Sequence, residues 1–301
     1  MSFFSILTYF IGGYTTLVLA LYMLSSVVPV AAFAARTLAG YISLIICAIY
    51  GAIASIILRI LGREQIAQWT TARAFKYIMA ATTGVTFEII DPNRYLETVR
   101  PAVFIGNHQT ELDVLMLGCM FPKYCSVTAK KALKNVPFLG WFMSLSGTIF
   151  IDRKNSKDAR GAMAGAAKEI QERKQSVYMF PEGTRSYSKE PDLLPFKKGA
   201  FHLAVQAGVP IVPVVSANYS HVLYIKGLVF KSGKIPVKVL DPISTVGLKP
   251  EDVDELTRST RELMLNEIVA LTQKVRNKSI AVPATNGDGV VRASGAEATL
   301  S

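Results

Sequence analysis

Residues 2–35 carry no charged side chain, and neither do residues 37–58; Arg36 alone stands between them. A water-soluble core rarely holds so long an uncharged stretch. Each run also exceeds the ~20 apolar residues that cross a hydrocarbon core. The N-terminus therefore reads as a membrane-inserted pair of apolar helices over residues 1–62. A cleaved signal peptide does not fit: there is no basic leader, and the apolar stretch outruns a signal core of about 7–15 residues. Gly12, Gly13 and Pro29 interrupt the first run. Two arrangements stay open on this evidence, two full spans or a re-entrant hairpin held in one leaflet.

The charge lies almost wholly after residue 58, and the net charge of the chain is +11. A basic body behind an apolar pair suits an anionic membrane surface better than a nucleic acid, and no basic stripe with interleaved aromatics or nucleic-acid motif is present. Arg59, Arg63, Arg73 and Lys76 follow the second run closely, which places that side in the cytoplasm. Two N-x-[ST] sequons, at Asn218 and Asn277, would report the opposite orientation by being glycosylated. Cys47, Cys119 and Cys125 form no C-x-x-C and read as buried thiols, with no disulfide frame and no metal site.

Beyond residue 62 the pattern alternates. Residues 60–80 suggest an amphipathic helix, and Val85, Phe87 and Ile89 alternate with polar neighbours as a strand does. Strands are expected over 102–106, 125–128, 147–151, 176–180, 210–216, 222–230 and 235–240. Helices are expected over 111–119, 156–174, 197–207 and 250–274. This order predicts an α/β fold, a mostly parallel sheet flanked by helices, over residues 63–277. From 278 to 301 Ala, Gly, Ser and Thr dominate without periodicity, which reads as a disordered tail.

Within this frame His108 and Asp113 stand five residues apart, directly after the apolar run Val103–Ile105. Five residues of helix turn through about 500°, so the two cannot pair on one helix face. They can pair if His108 ends a loop and Asp113 lies in the first helical turn, which gives an oriented general base. Thr110-x-x-Asp113 also reads as a plain capping box, and spacing alone does not separate the two. A second cluster, Glu182, Gly183 and Arg185, follows the apolar run 177–180. A glycine turn carrying an arginine fork suits a phosphate oxyanion. His202 and His221 read as packing or surface residues. No G-x-S-x-G, P-loop or H-E-x-x-H is present.

Four blocks occur in order: Asn107-His108-x-x-x-x-Asp113, Ile149-Phe150-Ile151-Asp152-Arg153, Phe180-Pro181-Glu182-Gly183-Thr184-Arg185-Ser186 and Val209-Pro210-Ile211-Val212-Pro213-Val214. With Ala129–Leu133 and Pro137–Trp141, they make the sequence over about residues 75–245 resemble the lysophosphatidate acyltransferase family (1-acyl-sn-glycerol-3-phosphate acyltransferases), and its fungal members in particular. Thr110 departs from the serine many members carry there, with the hydroxyl kept. The resemblance implies transfer of an acyl chain from acyl-CoA to the sn-2 hydroxyl of lysophosphatidate, with no cofactor, since acyl-CoA is a co-substrate. It implies His108 as general base oriented by Asp113, and Lys130, Asp152, Arg153, Glu182, Gly183, Thr184 and Arg185 as the substrate-binding set. It implies an endoplasmic reticulum membrane location in a eukaryote. A related acyltransferase acting on glycerol-3-phosphate or another lysophospholipid, and a non-catalytic lipid-binding protein, are the competing readings.

Overall fold

The uncharged N-terminal runs fold as two helices, α1 (Phe3–Leu24) and α2 (Pro29–Ile60), in a computed structural model that describes residues 2–152, 156–277 and 280. Both are long and apolar enough to cross a membrane. Gly12 and Gly13 do not break α1; they sit inside it with open space around them. Pro29 opens α2 at its first turn, where a missing N–H costs nothing.

The two helices differ in what they touch. No part of α1's apolar window is buried, whereas one third of α2's is. The buried part is a stripe of small residues four apart: Ala31, Ala35, Ala39, Ser43, Cys47, Gly51 and Ser55. That spacing keeps one helix face, and small side chains let a second helix approach closely. The partner is α3 (Ala67–Thr83): a Cβ on Gly51 would lie 2.8 Å from Thr71. The opposite face of α2 shows Ile45, Ile46, Ile49, Ile53, Ile56 and Ile57 outward. Arg36 points inward and donates from Nε to the Thr83 carbonyl at 3.0 Å, capping the end of α3.

The chain then runs β1 (Val85–Ile90), α4 (Tyr95–Thr98), β2 (Val103–Gly106), α5 (Asp113–Met120), β3 (Cys125–Lys130), α6 (Leu139–Leu145), β4 (Ile149–Ile151), α7 (Ser156–Arg173), β5 (Ser176–Met179), α8 (Gly199–Ala207), β6 (Ile211–Ser216), β7 (Leu223–Tyr224), β8 (Val229–Phe230), β9 (Gly233–Val239) and α9 (Val253–Arg276). Seven strands form one sheet in the order β1-β9-β6-β2-β5-β3-β4. Every pair in it is parallel except β6 with β9. The expected mostly parallel sheet flanked by helices is therefore the architecture observed.

Burial on both faces explains the unbroken apolar runs of β2 and β6. Phe104, Val212 and Val214 enter one core with α3 and α5, while Val103, Ile105, Ile211 and Val215 enter the other with α7, α8 and α9. One expected element is corrected. Residues 222–230 are not a single strand but the short hairpin β7–β8, split by a 3-10 turn over Ile225–Gly227. The turn is closed by Leu228 N–H donating to the Ile225 carbonyl, and Leu228 sits at φ +50. The helices α4 and α6 were not expected from periodicity, being too short to show one. The tail beyond 280 lies outside the described residues.

Candidate active site

Strands β2, β3, β4, β5 and β6 point the same way, and the motif residues emerge at their C-terminal ends. This is where an open α/β sheet leaves a crevice. β2 ends at Gly106, which has to be glycine: a Cβ there would fall 1.9 Å from the Tyr178 hydroxyl. Asn107 then ties the turn to β6, its Oδ1 accepting from Ser216 N at 2.9 Å and its Nδ2 donating to Ser216 O at 3.1 Å.

His108 follows in the loop and Asp113 is the first residue of α5, the arrangement in which the two can meet. Nδ1 of His108 lies 2.7 Å from Oδ2 of Asp113. A carboxylate only accepts, so Nδ1 carries the proton and Nε2 keeps its lone pair. Asp113 is fully buried. Its Oδ2 also accepts from Gln109 N at 2.6 Å, and its Oδ1 accepts from the Tyr219 hydroxyl at 2.7 Å. The capping-box reading is corrected by these contacts. The cap position of α5 is Leu112, and Asp113 returns to Gln109 and not to Thr110. Thr110 instead accepts from Leu112 N at 3.2 Å and meets Tyr219, whose hydroxyl accepts from Thr110 N at 3.1 Å.

The imidazole is fixed from its other sides too. Its ring stacks on Phe180, centroids 4.1 Å apart and planes 16° from parallel. Its backbone N donates to Oε1 of Glu182 at 2.6 Å. The His108 and Gln109 carbonyls accept from Ser186 N and Tyr187 N at 3.0 and 3.1 Å, which stitches the two motif loops together.

Glu182 departs from its expected place among substrate contacts. It is 3% exposed, and its second oxygen accepts from Leu194 N at 3.0 Å. It braces the two loops from inside. Burial pushes its carboxyl up to about 8, opposed by the two backbone N–H donors. Gly183, at φ +70, turns the chain past the stem of Lys197, leaving Thr184 exposed and Arg185 partly exposed. Arg185 is already engaged: its NH1 lies 3.1 Å from Oε1 of Glu111, which also accepts from the Tyr187 hydroxyl at 2.7 Å.

The remaining predicted residues stand farther off. Lys130 ends β3 and Asp152 follows β4, two and three strands from β2, or roughly 10 and 14 Å at ordinary strand spacing. Asp152 pairs with Lys131 at 3.8 Å. Arg153 lies outside the described residues. His202 and His221 are exposed. Among the described residues no cluster of three or more His, Cys, Asp or Glu could hold a metal ion.

Sequence reasoning missed Tyr219, Phe180 and Glu111. Phe180 is the residue where β5 runs out into the glycine turn, so its position at the crevice was readable. Tyr219 lies three residues past β6, and nothing local in Asn218-Tyr219-Ser220 points to a carboxylate far back in the chain.

Comparison with known proteins gives the family and supports the fold. The Acyltransferase family model matches residues 89–217. The chain is 44% identical over 222 residues to a 1-acyl-sn-glycerol-3-phosphate acyltransferase of Saccharomyces cerevisiae, covering 74% of this chain and 73% of that one. It is 39% identical over 218 residues to the human 1-acyl-sn-glycerol-3-phosphate acyltransferase beta, covering 72% and 74%. The crystal structure of the 1-acyl-sn-glycerophosphate acyltransferase PlsC from Thermotoga maritima superposes with a TM-score of 0.59 at 19% identity, over 89% of this chain and 98% of that one. At that identity the likeness speaks for the fold alone.

Proposed function

The chain belongs to the 1-acyl-sn-glycerol-3-phosphate acyltransferase family, and on that premise we propose that it moves an acyl chain from acyl-CoA to the sn-2 hydroxyl of lysophosphatidate. Its homologues are acyltransferases, and this chain is an acyltransferase enzyme. The observation that carries the reading is the His108–Asp113 contact, which leaves Nε2 free to accept a proton beside the Arg185 loop.

In this mechanism Nε2 of His108 takes the sn-2 hydroxyl proton as that oxygen attacks the thioester carbonyl carbon. The new C–O bond forms, the tetrahedral intermediate collapses, and the C–S bond breaks. The proton on His108 passes to the departing thiolate, giving phosphatidate and free CoA. Asp113 holds the Nδ1 proton and balances the imidazolium, as the carboxylate of a Ser–His–Asp triad does. Backbone N–H groups near the glycine turn would receive the oxyanion. Arg185, with Lys130 at the end of β3, would hold the acceptor phosphate once Glu111 gives way, and Arg153 is the further cation the family resemblance assigns to it. Gly183 and Thr184 shape that turn, and Asp152 pairs with Lys131 beside Lys130.

Residues 63–277 carry this chemistry, with 1–62 as the membrane anchor in an endoplasmic reticulum membrane. Two long apolar helices support the anchor and the basic residues behind them a cytoplasmic catalytic face, while the organelle is what the family resemblance implies. The test is purified protein with acyl-CoA and a panel of acceptors, following free thiol. Release should depend on lysophosphatidate and be weak with glycerol-3-phosphate or lysophosphatidylcholine. Equal release with all acceptors, or none with any, would refute the assignment.

A further inference from the structure

The loop that leaves β3 carries a surface that the acyl-transfer chemistry does not use. Residues 131–138 are exposed without a break, and they include Leu133, Val136 and Phe138. Trp141, one turn into α6, is 57% exposed and meets Phe138 edge to face at 5.1 Å. An exposed tryptophan backed by a second aromatic and two aliphatics is not an ordinary soluble surface; such patches mark a contact.

The loop is also built to hold this shape. Phe138 sits at φ +61, a region a bulky side chain rarely adopts. Gly140 lies so close to the carbonyl of Lys134 that a Cβ would fall 2.1 Å from it. Strain kept at an exposed aromatic suggests that its outward position is used.

Two observations identify the occupant. The first is continuity with the apolar N-terminal pair. α6 rests on α2, where a Cβ on Gly51 would come within 2.6 Å of the Phe142 ring, and Arg59 at the end of α2 donates to the Leu145 carbonyl at 3.4 Å. The aromatic loop thus abuts the end of the helix whose free face is a row of isoleucines. The second is charge. Lys134 stands among the apolar residues and makes no ion pair among the described residues, and its Nζ lies over the Phe150 ring at 6.0 Å. Tryptophan at an interface with lysines beside it matches the head-group layer of an anionic bilayer.

We propose that the 133–141 loop is a second bilayer contact, dipping into the head-group layer beside the C-terminal strand ends and so holding the reaction crevice at the lipid surface. It rests on the membrane-anchor reading above and not on the identity of the acceptor. A crevice seated there would take an acceptor whose acyl chain stays in the leaflet.

The experiment uses the full chain reconstituted in phosphatidylcholine–phosphatidylserine vesicles, with phosphatidylcholine brominated either near the head group or deep in the chain. The protein has two tryptophans, Trp69 and Trp141. The difference between wild type and Trp141→Phe isolates the Trp141 emission. Shallow bromines should quench most of that difference signal, and deep bromines less. No quenching by either lipid, in protein that still sediments with the vesicles, overturns the loop contact while leaving the anchor standing. Protein that does not sediment with vesicles overturns both. A second variant, Phe138→Ser with Trp141→Ser, should lose about 5-fold or more of its turnover on vesicle-borne long-chain acceptor, the scale of one desolvated aromatic contact. Its turnover on a monomeric short-chain acceptor should stay within 2-fold of wild type. Equal loss on both acceptors would move these residues into the reaction site and overturn the proposal.

Discussion

The phenol of Tyr219 donates to Oδ1 of Asp113 at 2.7 Å, while the other oxygen of the same carboxylate holds His108. The aspartate is thus fixed at both oxygens, one by the loop it shares with the histidine and one by the chain leaving β6. Tyr219→Phe removes one hydrogen bond to a charged group and leaves Thr110 N without its acceptor. The expected result is a fall in kcat of about 10-fold to 100-fold with little change in KM, and a loss of ~1–3 kcal/mol of stability. Unchanged kcat would show that Asp113 needs no second anchor.

His108→Ala should lower turnover by about 10²–10⁴-fold, the usual scale of general-base loss. Asp113→Asn should fall similarly with the fold kept, checked by circular dichroism. Near-normal turnover in His108→Ala would rule His108 out as the base.

Glu182 makes stability depend on pH. Its carboxyl is raised from the ordinary 4.5 to about 8, so the folded state holds a proton that the unfolded state has lost across that interval. Stability from this group is complete below about pH 4.5 and is lost as pH rises through about 8. Wild-type Tm should therefore fall between pH 5 and pH 8 relative to Glu182→Gln, which cannot titrate. Parallel Tm curves for the two proteins would rule the effect out. The variant should also lose activity, because Gln cannot accept from both His108 N and Leu194 N.

Arg185 pairs with Glu111, so an acceptor phosphate bound as proposed would displace a carboxylate. The pair is partly exposed, and such pairs contribute about 0.2–1 kcal/mol. Glu111→Gln should lower KM for lysophosphatidate by up to about 5-fold and leave KM for acyl-CoA alone. Arg185→Lys should do the reverse to the acceptor KM, since an ammonium cannot reproduce the fork. If either change acts on acyl-CoA alone, Arg185 does not hold the phosphate.

Orientation can be read from one sequon only. Asn218 is buried and bonded to the carbonyls of Ser188 and Glu190, so a glycan there would be incompatible with this fold. Asn277, at the exposed end of α9, is open. Expressed in a eukaryotic host, the protein should show no endoglycosidase shift, and its catalytic domain should be cut by protease added to sealed microsomes. A shift abolished by Asn277→Gln, with the domain protected, would place it in the lumen.

The sequence by itself determined the apolar N-terminal pair and the mostly parallel sheet, and it allowed the His108–Asp113 pairing without separating it from a capping box. Each depends on local pattern: absence of charge over a bilayer's length, apolar runs of strand length, and a histidine placed just ahead of a helix. Only the tertiary structure decided what those residues touch. Tyr219 reaches Asp113 because β6 lies beside β2 in the sheet, an adjacency fixed by packing two cores and not by spacing along the chain. Glu182 looked like part of the basic cluster because Arg185 follows it so closely. The glycine turn at φ +70 sends the arginine outward and leaves the carboxylate buried against two backbone N–H groups. The stripe of small residues on α2 was hidden within an apolar run, since alanine and isoleucine count alike toward hydropathy. Their different sizes separate them only when α3 is near enough to require the small ones.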